Sequence, residues 1–140
     1  MAYDPNNVFA KMLRGEIPSH KIYEDEDTLA FLDIMPRSEG HALVVTKETA
    51  RDLFDISPAA LGKLMAVVQK LAPVIQKAMG AEGVLIQQFN GAAAGQTVFH
   101  LHVHIIPRKE GEELKPHAGQ MADQAKLADT AEKIRKKLER

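Results

Sequence analysis

Cysteine is absent from the 140 residues. That excludes a disulfide framework, a cysteine-ligated zinc site and a thiol nucleophile. An excess of one charge is absent too: 18 Lys and Arg stand against 19 Asp and Glu, a formal net charge of -1 at pH 7. A chain-wide basic field for nucleic acid is thereby excluded. No uninterrupted apolar run approaches the ~20 residues that span a bilayer. The opening Met1-Ala2-Tyr3-Asp4-Pro5-Asn6-Asn7 lacks a basic stretch followed by an apolar one, so no secretory signal is expected and the cytoplasm is the expected compartment. Internal repeats and low-complexity linkers are missing as well. What is present is 45% hydrophobic and 26% charged residues, ordinary composition for one globular domain. A chain of this length buries about two-thirds of its surface, enough for a core without staples.

Short elements follow one another along the chain. Asn6 or Asn7 can cap a helix bearing Val8, Phe9, Met12 and Leu13; Gly15 ends it and Pro18 prevents its resumption. Residues 21–24 and 28–34 read as a hairpin across an acidic turn, and 41–46 as a third strand rich in β-branched residues. Residues 49–54 suggest one or two helical turns. Ser57 and Pro58 then open a long helix whose stripe runs Leu61, Leu64, Met65, Val68, Ala72, Ile75, Met79, closed by Gly80. Pro73 lies inside it, so a kink is expected near Gln69. Residues 84–89 and 98–106 read as the fourth and fifth strands, the latter stopped by Pro107. Beyond a charged stretch, residues 123–140 repeat apolar positions at Leu127, Ala131, Ile134 and Leu138, an amphipathic helix. Strands outnumber crossovers, so the expected class is α+β with a five-stranded, mostly antiparallel sheet. The expected division is a main body over 1–109 and a helical tail over 110–140, in one domain or packed on a dimer.

The chemistry concentrates in one strand. His100, His102 and His104 alternate with Leu101, Val103 and Ile105. Alternate strand residues share a face, so the three rings should form a row with Cα atoms about 6.5–7 Å apart. Three readings compete: a plain polar face, a metal site, and phosphate chemistry. Imidazole suits transition metals, but a tetrahedral ion needs ligands converging within ~2.1 Å, and rings in a row spread along a line. Neutral imidazole is also a competent nucleophile that neighbouring histidines can orient. Gly95-Gln96-Thr97, just before the row, offers backbone, amide and hydroxyl donors suited to an anion.

His100-Leu101-His102-Val103-His104-Ile105-Ile106 resembles the signature of the histidine-triad (HIT) family. Four further segments resemble that family in the same order: residues 9–18, residues 29–34 with Pro36, residues 40–45 with His41, and Asn90 with the Gly95-Gln96-Thr97 run. The likeness covers about residues 5–109 and is greatest to the Hint-like branch. It implies a HIT-like fold and a homodimer with one purine-nucleotide pocket per subunit. The implied chemistry is hydrolysis or transfer at the α-phosphate of nucleotide phosphoramidates or adenylates. By position, His102 matches the nucleophile and His104 a phosphate contact. Gln96 and Thr97 match phosphate and leaving-group contacts, Thr97 standing where many Hint-like members have serine. His100 and His41 match orienting positions. Asp33 matches the ribose-binding acid; Phe9, Ile17, Phe31, Leu32 and Ile34 match the base wall, and Asn90 a phosphate-side residue. Neither a cofactor nor a metal is implied, and neither a membrane nor a nucleic acid is an expected partner. Arg108 and Lys109 read as solvated, and His20 and His117 as surface residues. The alternatives are a nucleotide-binding regulatory or interaction module with little turnover, a dinucleoside polyphosphate hydrolase, and a metal-binding protein.

Overall fold

The computed structural model describes residues 2–116 and 119–139, so His117 lies outside the described residues. Asn7 accepts from the Ala10 N–H and caps helix α1, Val8–Leu13. Strands β1 (Lys21–Glu24), β2 (Thr28–Leu32) and β3 (Ala42–Thr46) follow as a meander. Helix α2 (Pro58–Met79) crosses to β4 (Gly83–Gln87); a 3-10 turn at Ala92–Ala94 leads to β5 (His102–Arg108) and then α3 (Gln124–Leu138). The sheet order is β1-β2-β3-β5-β4 with every pair antiparallel, the expected α+β class. β5 therefore inserts between β3 and β4, which puts the last strand near the middle of the sheet.

Both faces of that centre are covered. Ala30, Leu32, Val44, Val103 and Ile105 point to the α2 side, joined by Leu64, Val68, Leu71 and Ile75. Leu29, Phe31, Leu43 and Val45 point the other way, under Phe9 of α1. Every residue of β2 and β3 is consequently buried. Ser57 caps α2 by accepting from the Ala60 N–H, and Gly80 ends it in the left-handed conformation at φ 62. By length and hydropathy α2 could cross a membrane, but here one of its stripes is the core's helical wall. The helix continues through Pro73, an exposed position where water can satisfy the carbonyl of Gln69. Its buried row is Leu64, Val67, Val68, Leu71, Ile75, Met79; Met65, expected inside, is exposed.

Several element ends differ from expectation, each for a local reason. Residues 49–54 form turns, not helix: Asp52 accepts from the Phe54 N–H and Asp55 from the Arg51 N–H, bonds that compete with helical ones. β2 stops before Asp33 because that side chain turns back to accept from the Met35 N–H at 2.9 Å. β4 stops at Gln87, where the Gln88 amide turns to the Phe89 carbonyl and the Asn90 side chain. β5 begins only at His102, since β3 pairs no further than Val45 opposite His102. It also continues through Pro107, beyond the last β3 pair, where only β4 flanks it and a missing N–H is tolerated. In the tail, Leu127, Ala131 and Ile134 join the same core as α2 rather than a separate one.

Candidate active site

A cavity of about 220 Å³ opens between α1, the end of β2 and the His-bearing face of β5. His102 and His104 lie opposite Val45 and Leu43 on β3 and share that face, with ring centroids 5.1 Å apart. Both line the cavity, as do Phe9, Phe31, Leu32, Asp33, Ile34 and Thr97. The Phe9 ring meets His102 edge-on at 4.9 Å and packs on Phe31 at 5.3 Å. Asp33 carries the one formal charge in the lining, so the cavity is an apolar slot with an acid at one wall and imidazoles at its floor.

Three expected residues do not reach the cavity. Ile17 is half-buried outside the lining. Asn90 accepts from the Leu53 N–H at 2.9 Å and exchanges bonds with Gln88. Gln96 is buried and braces loops: its amide donates to the carbonyls of Arg51 and Val98 and its oxygen accepts from the Gly91 N–H. The bonds of these two polar side chains hold the turn before the histidine row. His100 precedes β5, lies outside the cavity lining, and is 1% exposed. His41 also lies behind the lining, against His104. His20 bonds Gln124 at an exposed site.

Fixed donors and acceptors assign the tautomers. The His100 carbonyl can only accept, so the His102 Nδ1 at 2.7 Å carries a proton and its Nε2 holds a lone pair. The Thr46 carbonyl likewise accepts from His100 Nε2–H at 2.7 Å, and the Tyr3 hydroxyl donates to His100 Nδ1 at 2.6 Å. Burial pushes the His100 imidazole below its ordinary pKa, against the opposing pull of the Thr46 carbonyl. A second chain runs behind His104. The Arg37 backbone N–H donates to His41 Nδ1 at 3.0 Å, so His41 Nε2 carries the proton and donates to His104 Nδ1 at 2.9 Å. His104 therefore holds its own proton on Nε2. The row presents an acceptor nitrogen on His102 beside a donor nitrogen on His104.

The donor atoms of Asp33, His41 and His104 lie within 4.8 Å of one another, close enough for an ion to be considered. The hydrogen bonds argue against it. With Nδ1 accepting from the Arg37 amide, a neutral His41 has no second lone pair to ligate a metal. The Asp33 carboxylate, 3.6 Å from His41 Nε2, instead favours the proton there.

Residues missed from the sequence fall into two groups. Val8, Met12 and Leu43 also line the cavity, and their apolar periodicity on α1 and β3 was the available signal. Tyr3 and the Arg37 amide act on the histidines from 97 and 4 residues away, and neither carries a sequence pattern.

A family model described as the HIT domain matches residues 14–111. A crystal structure of a Hit-like protein from Bartonella henselae is 48% identical with a TM-score of 0.91, over 97% of this chain and 99% of that one. Adenosine 5'-monophosphoramidase hnt1 of Schizosaccharomyces pombe is 41% identical over 75% of this chain and 76% of its own length. Adenylylsulfatase HINT3 of Arabidopsis thaliana is 43% identical over 74% of this chain and 52% of its own. With the histidine pair on β5, the fold and the family match in agreement, the chain belongs to the histidine-triad (HIT) family, in its Hint-like branch.

Proposed function

We propose that this protein hydrolyses nucleotide conjugates at the α-phosphate, with His102 as the nucleophile. The observation that carries the reading is the 2.7 Å bond from His102 Nδ1 to the His100 carbonyl, which in the neutral ring places the lone pair on Nε2 beside the cavity. In the proposed sequence Nε2 attacks the α-phosphorus, the P–N bond to an amine that leaves with a proton from solvent, or the P–O bond to a leaving carboxylate, breaks, and a nucleotidyl-His102 forms. The ring then carries positive charge, which the His100 carbonyl stabilises through the Nδ1 proton. The Nε2–H of His104 donates to a non-bridging phosphoryl oxygen, where negative charge builds in the transition state. Thr97, exposed at the cavity wall, supplies a hydroxyl to the leaving group. Water then attacks the phosphorus and gives up a proton to solvent, the P–Nε2 bond breaks with its electron pair returning to Nε2, and the mononucleotide is released.

The rest of the cavity suits a nucleoside. Phe9, Phe31, Leu32 and Ile34 form the wall proposed for a purine base, and Asp33 the acceptor for the ribose hydroxyls. Two relatives named for an adenosine monophosphoramidase and an adenylylsulfatase support adenosine conjugates as the substrate class. The experiment is turnover of adenosine 5'-phosphoramidate to AMP by the purified protein, compared with its 2'-deoxy analogue. Asp33→Asn should lower kcat/KM for the ribose substrate about 10–100-fold, the loss of a charged hydrogen-bond acceptor, and affect the deoxy substrate less. No turnover of any phosphoramidate or adenylate would overturn the reading.

A homodimer and a cytoplasmic site of action complete the proposal. β4 is a sheet edge with Ile86 exposed in its middle, the sort of edge that a second copy covers. Sedimentation at micromolar concentration should give a species of twice the 15.4 kDa chain mass; a strict monomer would remove the dimer.

A further inference from the structure

Neutral His104 can serve as a donor from Nε2 only while His41 keeps its proton on Nε2, which the Arg37 backbone amide and the Asp33 carboxylate both favour. The Arg37 N–H belongs to the loop between β2 and β3 and reaches His41 Nδ1 at 3.0 Å. An amide nitrogen only donates, so its position sets the His41 tautomer and, through the 2.9 Å bond onward, that of His104.

The amide is held from the far side by the C-terminal tail. The Lys115 N–H donates to the Arg37 carbonyl at 2.9 Å, and the Arg37 Nε donates back to the Lys115 carbonyl at 3.0 Å. The same guanidinium donates through Nη1 to Gln87 on β4 at 3.2 Å. On one flank the Ala122 N–H donates to the Ile34 carbonyl at 2.8 Å; on the other the Ser38 hydroxyl donates to the Pro107 carbonyl at 2.6 Å. Gly40 closes the loop at φ +91, where an added Cβ would fall 2.5 Å from Met79 Cγ. The tail thus crosses the loop and fastens it at Arg37, whose side chain does not line the cavity.

We propose that Arg37, clamped by the tail at Lys115, is a positioning residue that keeps His104 in its donor tautomer. With the clamp released, the amide is no longer held to His41. His41 can then move its proton to Nδ1, and His104 follows by donating from Nδ1 to His41 Nε2. His104 would then aim a lone pair, not an N–H, at the phosphoryl oxygen. The Asp33 carboxylate beside His41 Nε2 opposes that flip, so the variant should be a mixture of the two states. The kinetic consequence rests on the proposed function; the tautomer does not.

The test uses two full-length variants, Arg37→Ala and Lys115→Pro, with imidazole ¹⁵N correlation spectra and steady-state kinetics on adenosine 5'-phosphoramidate. In both, the His104 Nε2 resonance should move from the protonated toward the unprotonated position, while His102 keeps its proton on Nδ1. Removing an oxyanion donor outright costs about 10²–10³ in kcat; in a mixture kcat should fall in proportion to the donor fraction, about two- to tenfold, with KM changed by no more than about twofold. Either folded variant suffices for the decision. Unchanged His41 and His104 spectra would overturn the proposal, and so would shifted spectra with kcat intact. A wild type that turns over no nucleotide would sink the functional reading instead, and the nitrogen spectra would still decide this one.

Discussion

His102→Ala should lower kcat on adenosine 5'-phosphoramidate by about 10³-fold or more while AMP still binds. The size follows from what the side chain supplies. If Nε2 forms the covalent bond, alanine removes the two-step route altogether, and what survives is direct attack by water assisted by the His104 donor and by binding. A thousandfold loss is about 4 kcal/mol of transition-state stabilisation. Binding should survive because the slot is built elsewhere: Phe31, Leu32, Ile34 and Asp33 come from β2 and the loop after it. Phe9 loses its edge contact with the ring, so a few-fold rise in KM is the most that should appear. Single-turnover kinetics with calorimetric binding of AMP separates the two effects. Acid-quenched wild type should carry a mass increment of one adenylyl group that the variant lacks. Turnover preserved in a folded His102→Ala protein would end the covalent mechanism, and binding without any wild-type turnover would favour a nucleotide-binding module.

How far the sequence could take this argument depended on the range of each interaction. The alternation of His102 and His104 with Val103 and Ile105 is a property of the strand alone, so the shared face of the two histidines was legible. The long stripe of α2 and the glycine that ends it were legible for the same reason. Element ends were not, because they depend on neighbours. Residues 98–101 have strand-like composition, but β3 stops pairing at Val45, and the Leu101 N–H goes to the Ala50 carbonyl instead. Asn90 and Gln96 illustrate a second limit. A polar side chain near a reactive row fits two roles, binding a ligand or bracing a loop. Only the partners of Gln96, one of them 45 residues away at Arg51, show bracing. The protonation pattern was the least legible feature. For His102 it is set by the His100 carbonyl two residues away; for His100 and His41 it is set by the Thr46 carbonyl, the Tyr3 hydroxyl and the Arg37 amide, the first two reaching across the fold.

Ile134→Ala should destabilise the whole protein by about 3 kcal/mol, within the range for emptying a buried aliphatic site, and should do so in one transition. Ile134 is 0% exposed and sits with Leu127 and Ala131 in the core that also contains Leu64, Leu71 and Ile75 of α2. Arg135 beside it donates to the Lys21 carbonyl at the start of β1, which fastens the helix to the edge of the sheet. Side chains that share one core lose their packing together, so the tail should melt with the sheet and not before it. A midpoint lower by about 10 °C is the expected calorimetric sign for a chain of this size, with Leu71→Ala giving a drop of similar size from inside α2. If the tail were a separate appendage, Ile134→Ala would leave the main transition in place and add an early one. The distinction reaches the candidate site, because the segment of tail that bonds Arg37 lies between β5 and α3. Lys115 and Ala122, which bond the loop at Arg37 and Ile34, can hold the Arg37 amide against His41 while α3 is docked in the common core; loosened at α3, they would release it. The same substitution should therefore shift the His104 nitrogen spectrum at temperatures below the midpoint, and a tail without a structural share in the fold would leave that spectrum unmoved.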